Sequence, residues 1–464
     1  MDMMDPVHFT KATRLLLLGL LALLATLAAL AMLASGARAG WTVQQGVSYA
    51  NGSPADPSLN QLDLYLPDSP AQGPRPVVIW VHGGGWMNGD KGNQTADKAT
   101  LFTDAGYILA SINYRLSPVV PPTTFDPARI RYPEHPRDVA SAIDWVGRNI
   151  SGYGGDPDAM ILLGHSAGAH LVSLVGSNPA WLKATGASLR QVLGVVSLDA
   201  GAMDVVDSAT QTTPQPTDNN YVIWNAFGTP AEEASDPQWL EASPTTWGDP
   251  TDPRSLLITQ SSRVLRIIDN QKMATALGQD PAAVLTLPLT HEEINRNLGD
   301  AADTTGETEA VMSFIAGRLA SRVDPRVSIR KRPAKVVRTG RKASGKPRKR
   351  KVSFAFRGSG DFEGFQCRLD RAAFKACSSP RKYSVGTGSH SFRVRPLYPS
   401  GRPGTAKLVK FRVKPAARKA APTVCRRGVT SHESRVARGR HTHRRAARRD
   451  RRRAGPCACR CRSG

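Results

Sequence analysis

Two hydrophobic rhythms divide this chain. Pro76–Val81, Tyr107–Ile112, Ala159–Leu163, Val192–Leu198 and Ser255–Thr259 are short, nearly continuous apolar runs. Such runs mark strands buried on both faces. Helical patterns lie between them. Asp138 to Ile150 puts Val139, Ala142, Ile143 and Val146 on one face, and Ala169 to Val175 continues as helix after the third run. A further strand is expected over Val284–Leu287 and a last helix over Glu307–Leu319. This alternation predicts an α/β fold with a mostly parallel sheet covered by helices. Beyond residue 352 the period falls to two. Val352–Phe356, Phe365–Leu369, His390–Arg395 and Ala406–Val413 alternate apolar and polar residues between turn segments, which predicts a small antiparallel all-β sandwich.

The first apolar run is of another kind. Lys11 and Arg14 precede Leu15–Ala34, and Ala37-Arg38-Ala39 fits a small-x-small cleavage site before Gly40. This is secretory-signal anatomy. The run is also long enough for a retained anchor. Either way the rest is expected to be exported, so a secreted or cell-envelope-associated bacterial protein is expected. Charge sharpens the division. Residues 1–324 carry 20 Lys/Arg against 33 Asp/Glu, whereas 325–464 carry 42 against 5. All six cysteines lie in the basic part. The expected organisation is a signal or anchor over 1–40, an α/β domain over 41–323, a disordered basic linker over 324–351, the β module over 352–415, and a disordered Arg-rich tail over 416–464.

Two motifs carry the chemistry. Gly164-His165-Ser166-Ala167-Gly168 follows a strand and opens a helix, the context of a nucleophile elbow. Ser166 is the expected nucleophile, and the Ala167 N–H points at a developing oxyanion. Upstream, His82-Gly83-Gly84-Gly85-Trp86 ends the first buried strand, and the N–H groups of Gly83 and Gly84 are the expected further oxyanion donors. His82 is expected to hold that loop.

With Leu62–Pro67, Gly89-Asp90-Lys91, Asn113-Tyr114-Arg115, Gly154–Pro157 and Gly164–Leu171, these motifs make residues 41–320 resemble the α/β-hydrolase superfamily, near the hormone-sensitive-lipase-like esterases and the arylformamidases. The resemblance implies an eight-stranded, mostly parallel sheet and a catalytic order of Ser, acid, His. By position His291 is the base, and His135, His165 and His170 are expected to be structural. The acid is less well marked. After the strand ending at Thr259 come Gln260-Ser261-Ser262-Arg263, with no carboxylate. The first one reached is Asp269, the expected acid, which also suits the N-cap of a helix over 270–277. Asp199 and Asp204 are the alternates. In the long insertion between Leu198 and Ser255, Trp224, Phe227, Trp239 and Trp247 either wall a substrate pocket or pack the insertion.

The words around Cys367, Cys377 and Gly388–Val394 resemble a bacterial Ig-like module, which implies a Cys367–Cys377 disulfide. The tail suits electrostatic attachment to an anionic cell-wall polymer or membrane surface, or else is solvated without a partner. No specific nucleic-acid partner, cofactor or metal is expected. Cys457-Ala458-Cys459-Arg460-Cys461 lacks partner spacing for a closed zinc site. The expected function is exported hydrolysis of small to medium carboxylic esters by a serine carboxylesterase acting through an acyl-enzyme. The alternatives are arylformamidase-like amide hydrolysis and non-catalytic envelope binding on a hydrolase fold.

Overall fold

The computed structural model describes residues 40–50, 56–119, 125–211 and 218–417. The N-terminal apolar run and nearly all of the tail lie outside the described residues, as do the expectations that rest on them. Among the described residues no helix is long and apolar enough to cross a membrane.

Eight strands form one sheet: β1 (Trp41–Ser48), β2 (Gln61–Pro67), β3 (Arg75–Val81), β4 (Ile108–Ile112), β5 (Gly155–His165), β6 (Val192–Leu198), β7 (Ser255–Gln260) and β8 (Leu285–Leu287), in the order β1-β2-β4-β3-β5-β6-β7-β8. The pairs β1–β2 and β2–β4 are antiparallel, and the other pairs are parallel. The mostly parallel eight-stranded sheet expected from the resemblance is present. Its helices are α1 (Ala96–Asp104), α2 (Glu134–Asn149), α3 (Ala167–Ser177), α4 (Pro179–Thr185), five short ones in the insertion (α5 Val205–Thr210, α6 Asp218–Phe227, α7 Pro230–Ser235, α8 Trp239–Ala242, α9 Pro244–Trp247), then α10 (Val264–Ala276), α11 (His291–Asn297) and α12 (Glu307–Ser321).

The continuous apolar runs are explained by cores on both faces. On β3, Val77, Ile79 and Val81 pack with Val139, Ile143 and Val146 of α2 and Leu171 and Val175 of α3. Val78 and Trp80 point the other way, to a core holding Phe102 of α1, Ile294 of α11 and Ile315 of α12. A sheet so covered needs apolar residues at every position of its central strands.

The basic part contributes β9 (Arg326–Lys331), β10 (Val336–Thr339), β11 (Arg350–Ser359), β12 (Gly364–Leu369), β13 (Lys375–Ala376), β14 (Arg381–Val385), β15 (Gly388–Leu397) and β16 (Lys407–Pro415). They make a five-stranded sheet, β10-β16-β15-β12-β13, and a three-stranded one, β14-β11-β9. Phe354 of β11 stacks on Phe392 of β15 at 4.0 Å, in a core with Val394, Val409 and Phe411. The Cys367–Cys377 disulfide is present beside that core. The stretch 324–351, expected to be an unfolded linker, instead supplies two strands. β9 pairs with β11, and β10 runs parallel to β16. Val327 is buried while its neighbours Arg326 and Ser328 are exposed, so a period of two is present there but masked by the density of Lys and Arg.

This added β domain is fastened to the start of β5. Arg322 Nη1 and Arg402 Nη2 donate to Asp156 (2.8 and 3.1 Å), and Ser400 donates to Asp158 through both its N–H and its hydroxyl (each 2.8 Å). Asp156 and Asp158 are buried, so these charge-assisted bonds act where water screens them little.

Replacing both Cys367 and Cys377 by Ser opens a short loop, with sequence separation 10. The β domain should lose about 2–3 kcal/mol in a urea melt, by the chain-entropy estimate, while the unfolding of the first domain stays in place.

Candidate active site

Ser166 occupies the single-residue joint between β5 and α3, with φ 53° and ψ −118°. For a residue with a β-carbon this backbone is strained, and the surroundings must enforce it. Ser166 N–H donates to Leu198 O (2.9 Å) and His170 N–H to Ser166 O (3.1 Å). Gly168 lets α3 press on the end of β3, since a β-carbon there would sit 2.1 Å from Val81 O. Gly83 serves the approach of the upstream loop: a β-carbon would meet Ser166 Cβ at 3.0 Å and His165 Nδ1 at 2.9 Å. The tight turn and the bare loop thus bring Gly83, Gly84 and Ala167 to the same cavity as Ser166.

His291 opens α11, whose start is set by a capping box between Thr290 and Glu293. Its Nε2 lies 2.9 Å from Ser166 Oγ. His165 braces it from behind, Nε2 donating to His291 O at 2.9 Å, and burial drives the His165 imidazole down to about 3, so it stays neutral. The other histidines are structural. His82 stacks on Tyr114 at 4.6 Å, with Nδ1 donating to Gly83 O. His170 donates to Ala242 O (2.9 Å), and His135 is hydrogen-bonded to Ser117 Oγ.

The carboxylate that meets His291 is Asp199, not Asp269. Asp199 directly follows β6, and Leu198 is in register with His165, so the ends of adjacent parallel strands deliver Asp199 and Ser166 side by side. Asp199 is fully buried, with φ 51°. Oδ2 accepts from His291 Nδ1 (2.5 Å), Gln260 Nε2 (2.7 Å) and Arg266 Nη1 (2.6 Å). Oδ1 accepts from Thr259 Oγ1 (2.7 Å) and Gln260 N–H (3.0 Å). Burial alone would raise its pKa, but the His291 bond, the Arg266 cation and the bonds from Thr259 and Gln260 together hold the carboxyl well below the usual range.

Asp269 is neither the partner of His291 nor an N-cap. The helix begins at Val264, so Asp269 lies inside it. Its carboxylate accepts from the N–H groups of Met203 (2.7 Å) and Asp204 (3.0 Å), fixing the chain after β6. Burial pushes it up to about 6 despite those bonds. Asp204, the other alternate, caps α5 and pairs with Lys272 at 3.3 Å. Sequence reasoning missed Thr259, Gln260 and Arg266 as partners of the acid. The available signal was the place after β7 where a carboxylate was sought and polar residues and Arg stood instead.

A cavity of about 980 Å³ opens over Ser166 and His291. The four insertion aromatics do not line it. Phe227 packs edge-on to Trp86 at 4.8 Å, and the indole N–H groups of Trp224, Trp239 and Trp247 donate to Ala209, Gly228 and Glu241 carbonyls. They pack the insertion. The apolar lining comes from Val222 and Ile223 of α6 and from Val264, Leu265 and Ile268 of α10. Among the described residues no His, Cys, Asp and Glu group is placed to hold a metal.

Residues 62–271 match the family model described as BD-FAE. The chain is 39% identical over 121 residues to a probable carboxylic ester hydrolase, LipM, of Mycobacterium tuberculosis (strain ATCC 25618 / H37Rv), covering 26% of each chain. It is 41% identical over 116 residues to the esterase LipQ of the same organism, covering 25% of each. The chain thus spans about a quarter of the length of the curated relatives it matches. A truncated carbohydrate esterase from gut microbiota aligns at 20% identity and TM-score 0.47, over 62% of this chain and 99% of that one.

Because its pKa is lower folded than unfolded, Asp199 contributes stability above about pH 4 that fades as pH falls through the folded value. Asp199→Asn should cost about 2–3 kcal/mol at pH 7, with Arg266 left unpaired, and the gap from the parent should narrow steadily below pH 4 in urea melts.

Proposed function

The chain carries an α/β-hydrolase domain of the esterase/lipase kind, and from that premise we propose that it is a serine carboxylesterase working through an acyl-enzyme. One observation carries the reading: Ser166 Oγ, His291 and Asp199 form an unbroken hydrogen-bonded relay, 2.9 and 2.5 Å, at the floor of the cavity. Ser166 Oγ attacks the ester carbonyl while His291 Nε2 takes its proton. Asp199 accepts from Nδ1 and stabilises the imidazolium. The N–H groups of Gly83, Gly84 and Ala167 hold the oxyanion. The tetrahedral intermediate collapses, the C–O bond to the alcohol breaks, and the alcohol leaves with the proton from His291. Water, deprotonated by His291, then attacks the acyl carbonyl, and Ser166 is released with its proton restored. The apolar lining and open mouth suit small to medium acyl or alcohol groups.

A role for the basic part belongs to the same proposal. The protein is exported by its N-terminal segment and attaches to an anionic cell-wall polymer. Supporting this, the outward positions of the five-stranded sheet include Arg368 opposite Arg393 and Arg338 opposite Lys414, with Lys410 and Arg412 between. None of these six enters an ion pair among the described residues. Like charges placed directly across strands repel, and a polyanion would relieve them.

On p-nitrophenyl acetate and butyrate the full chain should turn over, and Ser166→Ala should lose about 10⁴-fold or more. Asp199→Asn should lose about 10³–10⁴-fold. Asp269→Asn should stay near the parent. No turnover by the parent would instead favour the non-catalytic reading. Retention on isolated cell wall should fall steeply with added salt and weaken on paired Arg393→Glu and Arg412→Glu replacement; retention indifferent to both removes the attachment role.

A further inference from the structure

Asp199 has more donors than a carboxylate needs to orient a histidine, and one is a permanent cation. Arg266 Nη1 lies 2.6 Å from Asp199 Oδ2, 2.9 Å from Asp199 O and 2.8 Å from His291 Nδ1. A guanidinium Nη carries two hydrogens and no acceptor lone pair. Those hydrogens face the two Asp199 oxygens and, shared, the Nδ1 edge. The ionised Asp199 carboxylate can only accept, so Nδ1 carries its own proton and donates it to Oδ2 at 2.5 Å. The Nε2 lone pair is then left facing Ser166 Oγ, 2.9 Å away, as a base requires. A hydrogen bond from Arg266 to Nδ1 would put the ring proton on Nε2, and Ser166 could not hand its proton over.

We propose that Arg266 is a positioning residue for the hydrolysis: it anchors the Asp199 carboxylate that receives the His291 Nδ1 proton and, as a cation against the imidazole edge, sets the pH below which that base is lost. The inference rests on the serine-esterase reading above. Arg266 sits on the third residue of α10, and its side chain is about one-fifth exposed, so its charge is only partly screened. It opposes the imidazolium, while Asp199 favours it. The other groups around His291 are His165, held neutral by burial and hydrogen-bonded to its carbonyl, Ser166 before it, Glu292 beside it on α11 and Arg263 on the cavity wall. Behind α11, Lys98 donates to Asn295 O, and burial pushes Lys98 down and Glu307 up, each to about 8. None of these is altered by a change at 266; Asp199 is, since it loses one ion-pair partner while keeping His291, Thr259 and Gln260.

The test is the pH dependence of kcat/KM for p-nitrophenyl butyrate with the full chain. In Arg266→Gln the acid limb should move to higher pH by about one unit or more, since removing a cation a few ångströms away lets the imidazolium form more easily. Arg266→Lys keeps the charge and should leave the limb in place while kcat falls. A purely structural role would lower activity at every pH with the limb unmoved in both variants, and that result overturns the proposal. Should Arg266→Gln not fold, Arg266→Met keeps the apolar stem, and ¹⁵N NMR follows the His291 ring against pH in Ser166→Ala with and without it. The ring should take its proton at higher pH once the cation is gone, and an unmoved titration overturns the proposal. This readout needs no turnover, so it separates a failure of the esterase reading from a failure of this one.

Discussion

A buried carboxylate fixes the geometry on which everything else here depends. Asp199 is wholly removed from water, and a charge in that position is tolerated only when every lone pair is met. Its donors come from three places: Thr259 and Gln260 at the end of β7, Arg266 on α10, and His291 at the start of α11. Satisfying one ion therefore ties the tips of β6 and β7 to the two following helices. The same bonds aim His291 at Ser166. The orientation of His291 and local stability are, in this molecule, one set of contacts.

Much of the first domain is legible in the sequence, because its signals are local. Continuous apolar runs reveal strands buried on both faces, and the glycines around Ser166 and in the 82–86 loop reveal close backbone approaches. The identity of the acid is not local. Asp199 and Asp269 are both carboxylates within reach of the sheet's carboxyl edge. What separates them is strand order: β6 lies next to β5, so the residue after β6 emerges beside the nucleophile. Asp269 is turned instead toward the N–H groups of Met203 and Asp204, a use that no spacing in the sequence reveals.

The stretch 324–351 was misread for a different reason. Charge density argued for an unfolded linker over 324–351, yet β9 and β10 lie within it. In a thin two-sheet module each strand offers only alternate positions to the core, and all others are free to be Lys or Arg. Composition therefore understates order wherever half of every strand faces water. For the insertion aromatics the sequence leaves two readings open, a pocket wall or local packing, and packing is what is found: the indole N–H groups meet backbone carbonyls within the insertion itself.

The clamp at Asp156 and Asp158 gives β5 two different occupations. At one end it leads into Ser166; at the other, ten residues back, it holds the β domain through Ser400 and Arg402. The chain bulges between Gly155 and Met160, and at about 3.3 Å per residue the stretch from Met160 to Ser166 spans roughly 20 Å. A single strand thus answers to both domains, leading into Ser166 at one end and carrying the two buried carboxylates at the other.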